Sequence, residues 1–282
     1  MRSLRARTSH AATAGHSFET QGNPMRKLIL FAILTCVALA PALAQTPGAV
    51  FVNAATFQQG FPVTAGSLVV TAPAASGGTF TGAGTVTQEA LPWPTTLGNV
   101  RILVGGATGT PAPLYFVSPA QINFQLPVAT PAGLTTIVVQ VGGNTVAQGT
   151  VQVSDASPGI FERSPRPNPL AAIRNQNNAI NDATARAQRG EVVQIFGTGS
   201  GPLATPLPDG QGATQAINSV RRPRVFIGAV EAELQYSGAS AFPGLWQVNA
   251  FVPNRPFISG RVPLVISMDG VLSNATSFWV VD

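Results

Sequence analysis

From residue 45 to residue 282 the apolar positions fall in short runs. Val, Ile, Leu, Phe and Thr alternate with polar side chains, and clusters of Gly, Pro, Ser and Asn interrupt them at intervals of roughly ten residues. No stretch carries the repeat of an amphipathic helix, so the pattern predicts an all-β protein of the sandwich type. In the first half it predicts strands over 67–71, 100–104, 114–117, 122–126, 135–141 and 146–153, with a tight turn at Gly142-Gly143-Asn144. In the second half it predicts strands over 191–196, 224–227, 231–236, 246–252, 262–268 and 277–281, with the matching turn at Asp269-Gly270. Residues 72–99 form a long Gly-, Ala- and Thr-rich insertion, the kind of loop that is either functional or mobile.

The two halves are copies. Gln121-Ile-Asn123-Phe-Gln-Leu-Pro127 returns as Gln247-Val-Asn249-Ala-Phe-Val-Pro253, and Gly133–Asp155 aligns without a gap on Gly260–Asp282. Upstream, Gly66–Val70 matches Gly190–Gln194, and Val100–Gly105 matches Pro223–Gly228. A repeat of this length is one folding unit used twice. The expected organisation is a first sandwich over 45–155, a connector over 156–189 and a second sandwich over 190–282. The connector is Pro-rich and then Asn-rich; it reads as ordered, with Ile160 and Phe161 to dock it and a hairpin around Gln176-Asn177-Asn178.

Alternation along the repeated strand directs Trp246, Val248, Ala250 and Val252 to one face and Gln247 and Asn249 to the other. In the first copy Ile122, Phe124 and Leu126 face in, while Gln121, Asn123 and Gln125 face out. The twice-repeated amide pair, Gln121 with Asn123 and Gln247 with Asn249, reads as structural, bonding neighbouring loop backbone, in preference to a polar recognition ledge.

Composition changes the picture in one respect, because the charge is unevenly placed. The chain is formally +5, but Arg2, Arg5, Arg7, Arg26 and Lys27 all precede residue 45, and the remainder is close to neutral. That balance offers no footprint for nucleic acid or an anionic membrane. His10, His16 and Cys36 also precede residue 45, so the rest of the chain has no His, Cys or Lys. Ser-His-Asp and Cys-His nucleophiles, Lys Schiff bases, His or Cys zinc sites and internal disulfides are thereby excluded from it. A carboxylate pair stays chemically open. Met25-Arg-Lys, the apolar run Leu28–Ala40 and the small residues up to Ala44 describe a signal peptide over 25–44, too short to span a membrane. Residues 1–24 read as an upstream extension.

Several motifs invite chemistry. Gly197-Thr-Gly199-Ser-Gly201 follows a strand, but Pro202, Pro206 and Pro208 rule out the helix that a phosphate loop needs, so it reads as a strand-end turn. Glu231 and Glu233 read as an exposed sheet face, and Arg221-Arg222-Pro-Arg224 as a solvated loop. Trp246 and Trp279 are assigned to packing. Trp93, between two prolines, and Phe242 are the candidate ligand-binding aromatics, with Trp93 either an exposed platform or a loop anchor. Asn274-Ala-Thr276 fits a glycosylation acceptor and carries little weight. No catalytic residue, metal site or cofactor is assigned.

The blocks Asn53-Ala-Ala-Thr-Phe57, Pro94-Thr-Thr-Leu-Gly98, Tyr115–Pro127, Ser157-Pro-Gly-Ile-Phe161, Arg189-Gly190, Phe196–Pro202 and Gln247-Val-Asn249 occur in order. In them the chain resembles an uncharacterised two-part domain found at the C-terminus of secreted acidobacterial proteins. Each half is in turn similar to IPT/TIG-type immunoglobulin-like domains. The resemblance implies two tandem immunoglobulin-like β-sandwiches after a signal peptide, in a secreted or cell-surface setting, with no catalytic residues to carry over. The expected function is non-enzymatic interaction or adhesion with a protein or glycan partner, through loops such as 72–99 and 236–245. The alternatives are a carbohydrate-binding module and a carboxylate-pair glycoside hydrolase.

Overall fold

The strands expected from the alternation form, and they close into two sandwiches. A computed structural model describes residues 46–164 and 166–281; the leader and the extension before it lie outside the described residues. The first sandwich contains β1 (Ala49–Asn53), β2 (Val63–Thr64), β3 (Leu68–Pro73), β4 (Val86–Thr87), β5 (Val100–Val104), β6 (Thr110–Pro111), β7 (Leu114–Val117), β8 (Ile122–Gln125), β9 (Gly133–Val141) and β10 (Asn144–Ser154). Its sheets run β1-β3-β8-β7-β4 and β2-β10-β9-β5-β6. The second contains β11 (Gly159–Ile160), β12 (Ile173–Arg174), β13 (Val192–Thr198), β14 (Arg224–Ile227), β15 (Val230–Ala232), β16 (Leu234–Ala239), β17 (Trp246–Phe251), β18 (Gly260–Met268), β19 (Val271–Leu272) and β20 (Thr276–Val280). One sheet runs β11-β13-β17-β16 with β12 also on β13; the other runs β15-β14-β18-β19 with β20 also on β18. Two facing sheets of mostly antiparallel strands make each half an immunoglobulin-like sandwich.

The duplication persists residue by residue in the hydrogen-bond ladders. Val70 pairs with Asn123 and Gln194 with Asn249; Ile102 pairs with Val139 and Val225 with Ile266; Thr135 pairs with Val151 and Val262 with Phe278. Even the irregularity is copied. A bulge falls between Leu114 and Phe116 in β7 and between Leu234 and Tyr236 in β16, opposite Phe124–Asn123 and Ala250–Asn249. Bulges re-aim a strand, so sharing one means that both sheets bend at the same place.

Each sandwich buries its own core. Val69, Ile102, Leu114, Ile122, Phe124 and Ile137 belong to the first, and Ile195, Val225, Trp246, Val248, Leu264 and Phe278 to the second. Burying such a side chain stabilises by about 1.5–3 kcal/mol. The segment 156–189 does more than connect. Ile160, Ala171, Ile173 and Ala187 lie in the second core, and β11 and β12 complete its first sheet. Its prolines keep strands short, but its alternating apolar residues still bury one face. The hairpin expected around Gln176–Asn178 forms, with the Asn178 N–H donating to the Asn175 carbonyl and the Asn175 N–H to that of Ala179.

Trp279 departs from expectation. Phe278 and Val280 point inward, so strand periodicity turns Trp279 outward, where the Arg186 guanidinium lies 5.2 Å from its ring. The strand expected over 231–236 is divided at Glu233 into β15 and β16.

Candidate functional site

The two sandwiches meet through buried polar groups at the ends of strands. Thr198, the last residue of β13, accepts from the Leu68 N–H at 2.8 Å and donates to the Gly244 carbonyl at 2.8 Å, tying β3 to the loop before β17. Asn53, the last residue of β1, donates to the Ser157 carbonyl at 2.8 Å and accepts from the Ala55 N–H at 2.9 Å. The Arg221 guanidinium bridges Asp155 and Asp269. Residues 46–282 consequently belong to one compact unit.

Glycines mark where backbones touch. A Cβ on Gly199 would lie 1.9 Å from the Ser157 carbonyl oxygen, and one on Gly201 2.3 Å from that of Asp155. Both have positive φ. The Gly197–Gly201 run is thus a strand-end turn, as expected, but its glycines answer to the chain crossing from one sandwich to the other.

The structure brings the two candidate aromatics together and buries one. Trp93 is 3 % exposed, so it is a loop anchor and not an open platform. Its ring centroid lies 4.8 Å from Phe242 and 5.1 Å from Tyr115, and the last two are 5.0 Å apart. The Trp93 backbone N–H donates to the Gly210 carbonyl, so the 72–99 insertion is pinned to the second half of the chain. Phe80, Ala83 and Leu97 tuck the rest of the insertion into the first core. The 236–245 loop also lies at the junction, through Gly244 and Phe242.

The repeated amides bond each other. Gln121 donates to Asn123 at 2.7 Å, and Gln247 donates to Asn249 at 2.9 Å. This is a local clasp along the strand, where loop backbone was the expected partner. Gln125 was expected to face out and instead is buried at the junction, accepting from the Gly210 N–H at 2.7 Å and donating to the Gly66 carbonyl at 3.2 Å. Asn274 is likewise occupied: it bonds the N–H and C=O of Ile160 and the Glu162 carboxylate.

Some charges are paired locally. Arg224 holds Glu231 with two bonds, which lowers that carboxylate's proton affinity. The Thr184 hydroxyl, followed by the backbone of Ala185 and Thr184, lowers that of Asp182. Burial raises the Tyr236 phenol. Among the described residues, no group of three or more His, Cys, Asp or Glu could hold a metal ion.

Leu134, Phe257 and Leu272 are exposed singly, and two surfaces group several apolar side chains. One is a cleft of about 500 Å³ at the junction, walled by both halves of the chain, with Val128 on one side and Leu203, Leu207, Phe242 and Leu245 on the other. The other is the 54–62 loop, which enters the sequence reading only through the block Asn53–Phe57 and not as a candidate site. Its base is clamped: Ala55 and Thr56 are buried, Asn53 caps the Ala55 N–H, and Arg166 donates to the Thr56 carbonyl at 2.8 Å. Phe57 and Phe61 then emerge 59 % and 57 % exposed. Phe57 has φ 54°, an unusual conformation for a bulky residue. The detectable signal was a Phe pair flanking Gln58-Gln59-Gly60 outside any alternating run.

No family model matches the chain, and a search of curated proteins finds no significant match. Among solved structures it is similar to the Bacteroides ovatus mixed-linkage glucan utilization locus protein SGBP-B in complex with a mixed-linkage heptasaccharide (13 % identity, 78 % of this chain, 42 % of that one, TM-score 0.32). It is also similar to FdeC, an Escherichia coli adhesin (10 % identity, 84 % and 65 %, TM-score 0.23), and to titin Ig tandem domains (8 % identity, 77 % and 89 %, TM-score 0.23). The chain thus spans less than half of the glucan-locus protein. The immunoglobulin-like assignment follows from the strand order and register described above.

Proposed function

We propose that the chain is an exported, non-enzymatic interaction protein of the cell surface or extracellular space, built as the two-part domain that its sequence resembles. It meets a protein partner through the 54–62 loop. The observation that carries this reading is the exposure of Phe57 and Phe61 on a loop whose base is clamped. Large apolar side chains held open at a fixed position lose little freedom on binding. Loops on a rigid sandwich frame are the usual place for recognition.

Enzymatic readings find less support. After residue 45 the chain offers carboxylates and Tyr but no His, Cys or Lys. The cleft is lined by a single carboxylate, Asp155, which is engaged by Arg221. A glycan partner remains the second reading, since the exposed Phe rings could stack on sugar faces; Trp93 and Phe242 are engaged with each other and with Tyr115.

The test is capture by the immobilised protein. Native surface extract and a panel of polysaccharides are passed over the wild type and over a variant carrying Phe57→Ser and Phe61→Ser. The expected outcome is saturable retention of a protein component that falls at least tenfold in the variant while its urea midpoint is unchanged. Equal retention by both would refute the loop as the contact surface, and retention of polysaccharide alone would select the glycan reading.

A further inference from the structure

The junction cleft has a ligand chemistry of its own. Its size, about 500 Å³, falls in the range of pockets that enclose small molecules, and it sits between two domains, where such pockets concentrate. Its walls are mostly apolar. Of the polar side chains on the wall, four spend a donor on nearby backbone, while Thr64 Oγ1 is buried without a partner and Gln211 and Ser240 also line the cleft. Ser154 donates to the Ala156 carbonyl, Ser200 to that of Gly201, Thr130 to that of Pro127 and Gln125 to that of Gly66. The Gln125 carbonyl is also taken, by the Gly210 N–H. No Lys, Arg or His lines the cleft, and its one carboxylate is ion-paired.

So few polar groups, with no cation among them, repay only a small part of the desolvation of a polyhydroxylated sugar or of an anion, whereas an apolar surface loses nothing by leaving water. The walls are also set in advance. Gly199, Gly201, Gly238 and Gly244 line the cleft at points where backbone passes so close that a Cβ would lie 3.0 Å or less from a carbonyl oxygen. Thr198 ties Gly244 to Leu68 beside it. A preformed wall spares the ordering cost that weakens flexible sites. We infer that the cleft binds a small, uncharged, predominantly apolar molecule. This site is separate from the Phe57 and Phe61 loop.

The experiment is a fluorescence titration of the purified protein with two dyes that share one scaffold. N-phenyl-1-naphthylamine is neutral; its sulfonated analogue, 1-anilinonaphthalene-8-sulfonate, is anionic. The neutral dye should bind saturably with one-to-one stoichiometry, and the anionic dye at least tenfold more weakly. Ala239→Phe, which fills the cleft from β16, should weaken the neutral dye at least tenfold. Leu203→Ala, on a surface loop and therefore less exposed to folding defects, should weaken it several-fold. Binding by Phe57→Ser with Phe61→Ser should match the wild type. Unsaturable binding, equal affinity for both dyes, wild-type affinity in both cleft variants, or loss of binding in the Phe57 and Phe61 variant would each overturn the assignment.

Discussion

At the scale of single residues, exposure separates side chains that hold the fold from those available to a partner. Trp93 and Phe57 are both loop aromatics, yet one is 3 % exposed and the other 59 %. Truncating a buried aromatic removes its transfer energy and leaves a cavity, so Trp93→Ala should destabilise by about 3–5 kcal/mol in urea unfolding. Phe57→Ser should stay within about 0.5 kcal/mol. Titration is also decided residue by residue. Asp182 and Glu231 bind protons less tightly when folded, so their contribution is complete above the unfolded value of about 4 and is lost as pH falls through the lower folded value. Tyr236 has the opposite sign: its contribution is complete below about pH 10 and is lost as pH rises through its elevated folded value. With no His after residue 45, the midpoint of urea unfolding should be flat between about pH 5 and 8. A sloping profile there would contradict this assignment of titrating groups.

Among elements, the tight turns of the two sandwiches and the crossing at 197–201 use glycine for different reasons. Gly143 has positive φ and open space around its absent Cβ. Gly143→Ala should therefore cost only the left-handed strain, about 1–2 kcal/mol. Gly199 adds a collision with the Ser157 carbonyl, so Gly199→Ala should cost at least about 3 kcal/mol once overpacking is included. Paired unfolding curves of the two variants would expose the difference, and equal losses would mean that the crossing is looser than its geometry. The copied bulge in β7 and β16 belongs to this scale as well. It survives although Leu114-Tyr-Phe-Val and Leu234-Gln-Tyr-Ser share little beyond pattern, because the bend serves the sheet and not a particular side chain.

For the whole molecule, two cores joined by buried hydrogen bonds should behave as one cooperative system. Calorimetry should show a single transition for the wild type. Thr198→Val removes the partner of the Leu68 N–H and of the Gly244 carbonyl together, a loss of about 1–3 kcal/mol for each buried group left unpaired. That substitution should split or broaden the transition as the sandwiches begin to melt apart. One sharp transition at an unchanged midpoint would show that apolar contacts alone hold the junction.

Much of this was legible along the chain. Alternation marks which face of a strand meets its core, and the spacing of the repeat carries the ladder register from one half to the other. The loss of His, Cys and Lys after residue 45 bounds the available chemistry without any coordinates. Other features depend on how two finished sandwiches abut, and no local pattern encodes that. Gln125 obeys the alternation that points it away from its own core, yet it is buried because Gly210 of the other half arrives there. Trp93 and Phe242 are far apart in sequence and meet edge to face because the insertion and the 240–245 loop converge. The clamp beneath Phe57 needs Arg166, and the cleft needs both halves. Periodicity determines a residue's side within an element; only the packing of element against element determines what stands on the other side.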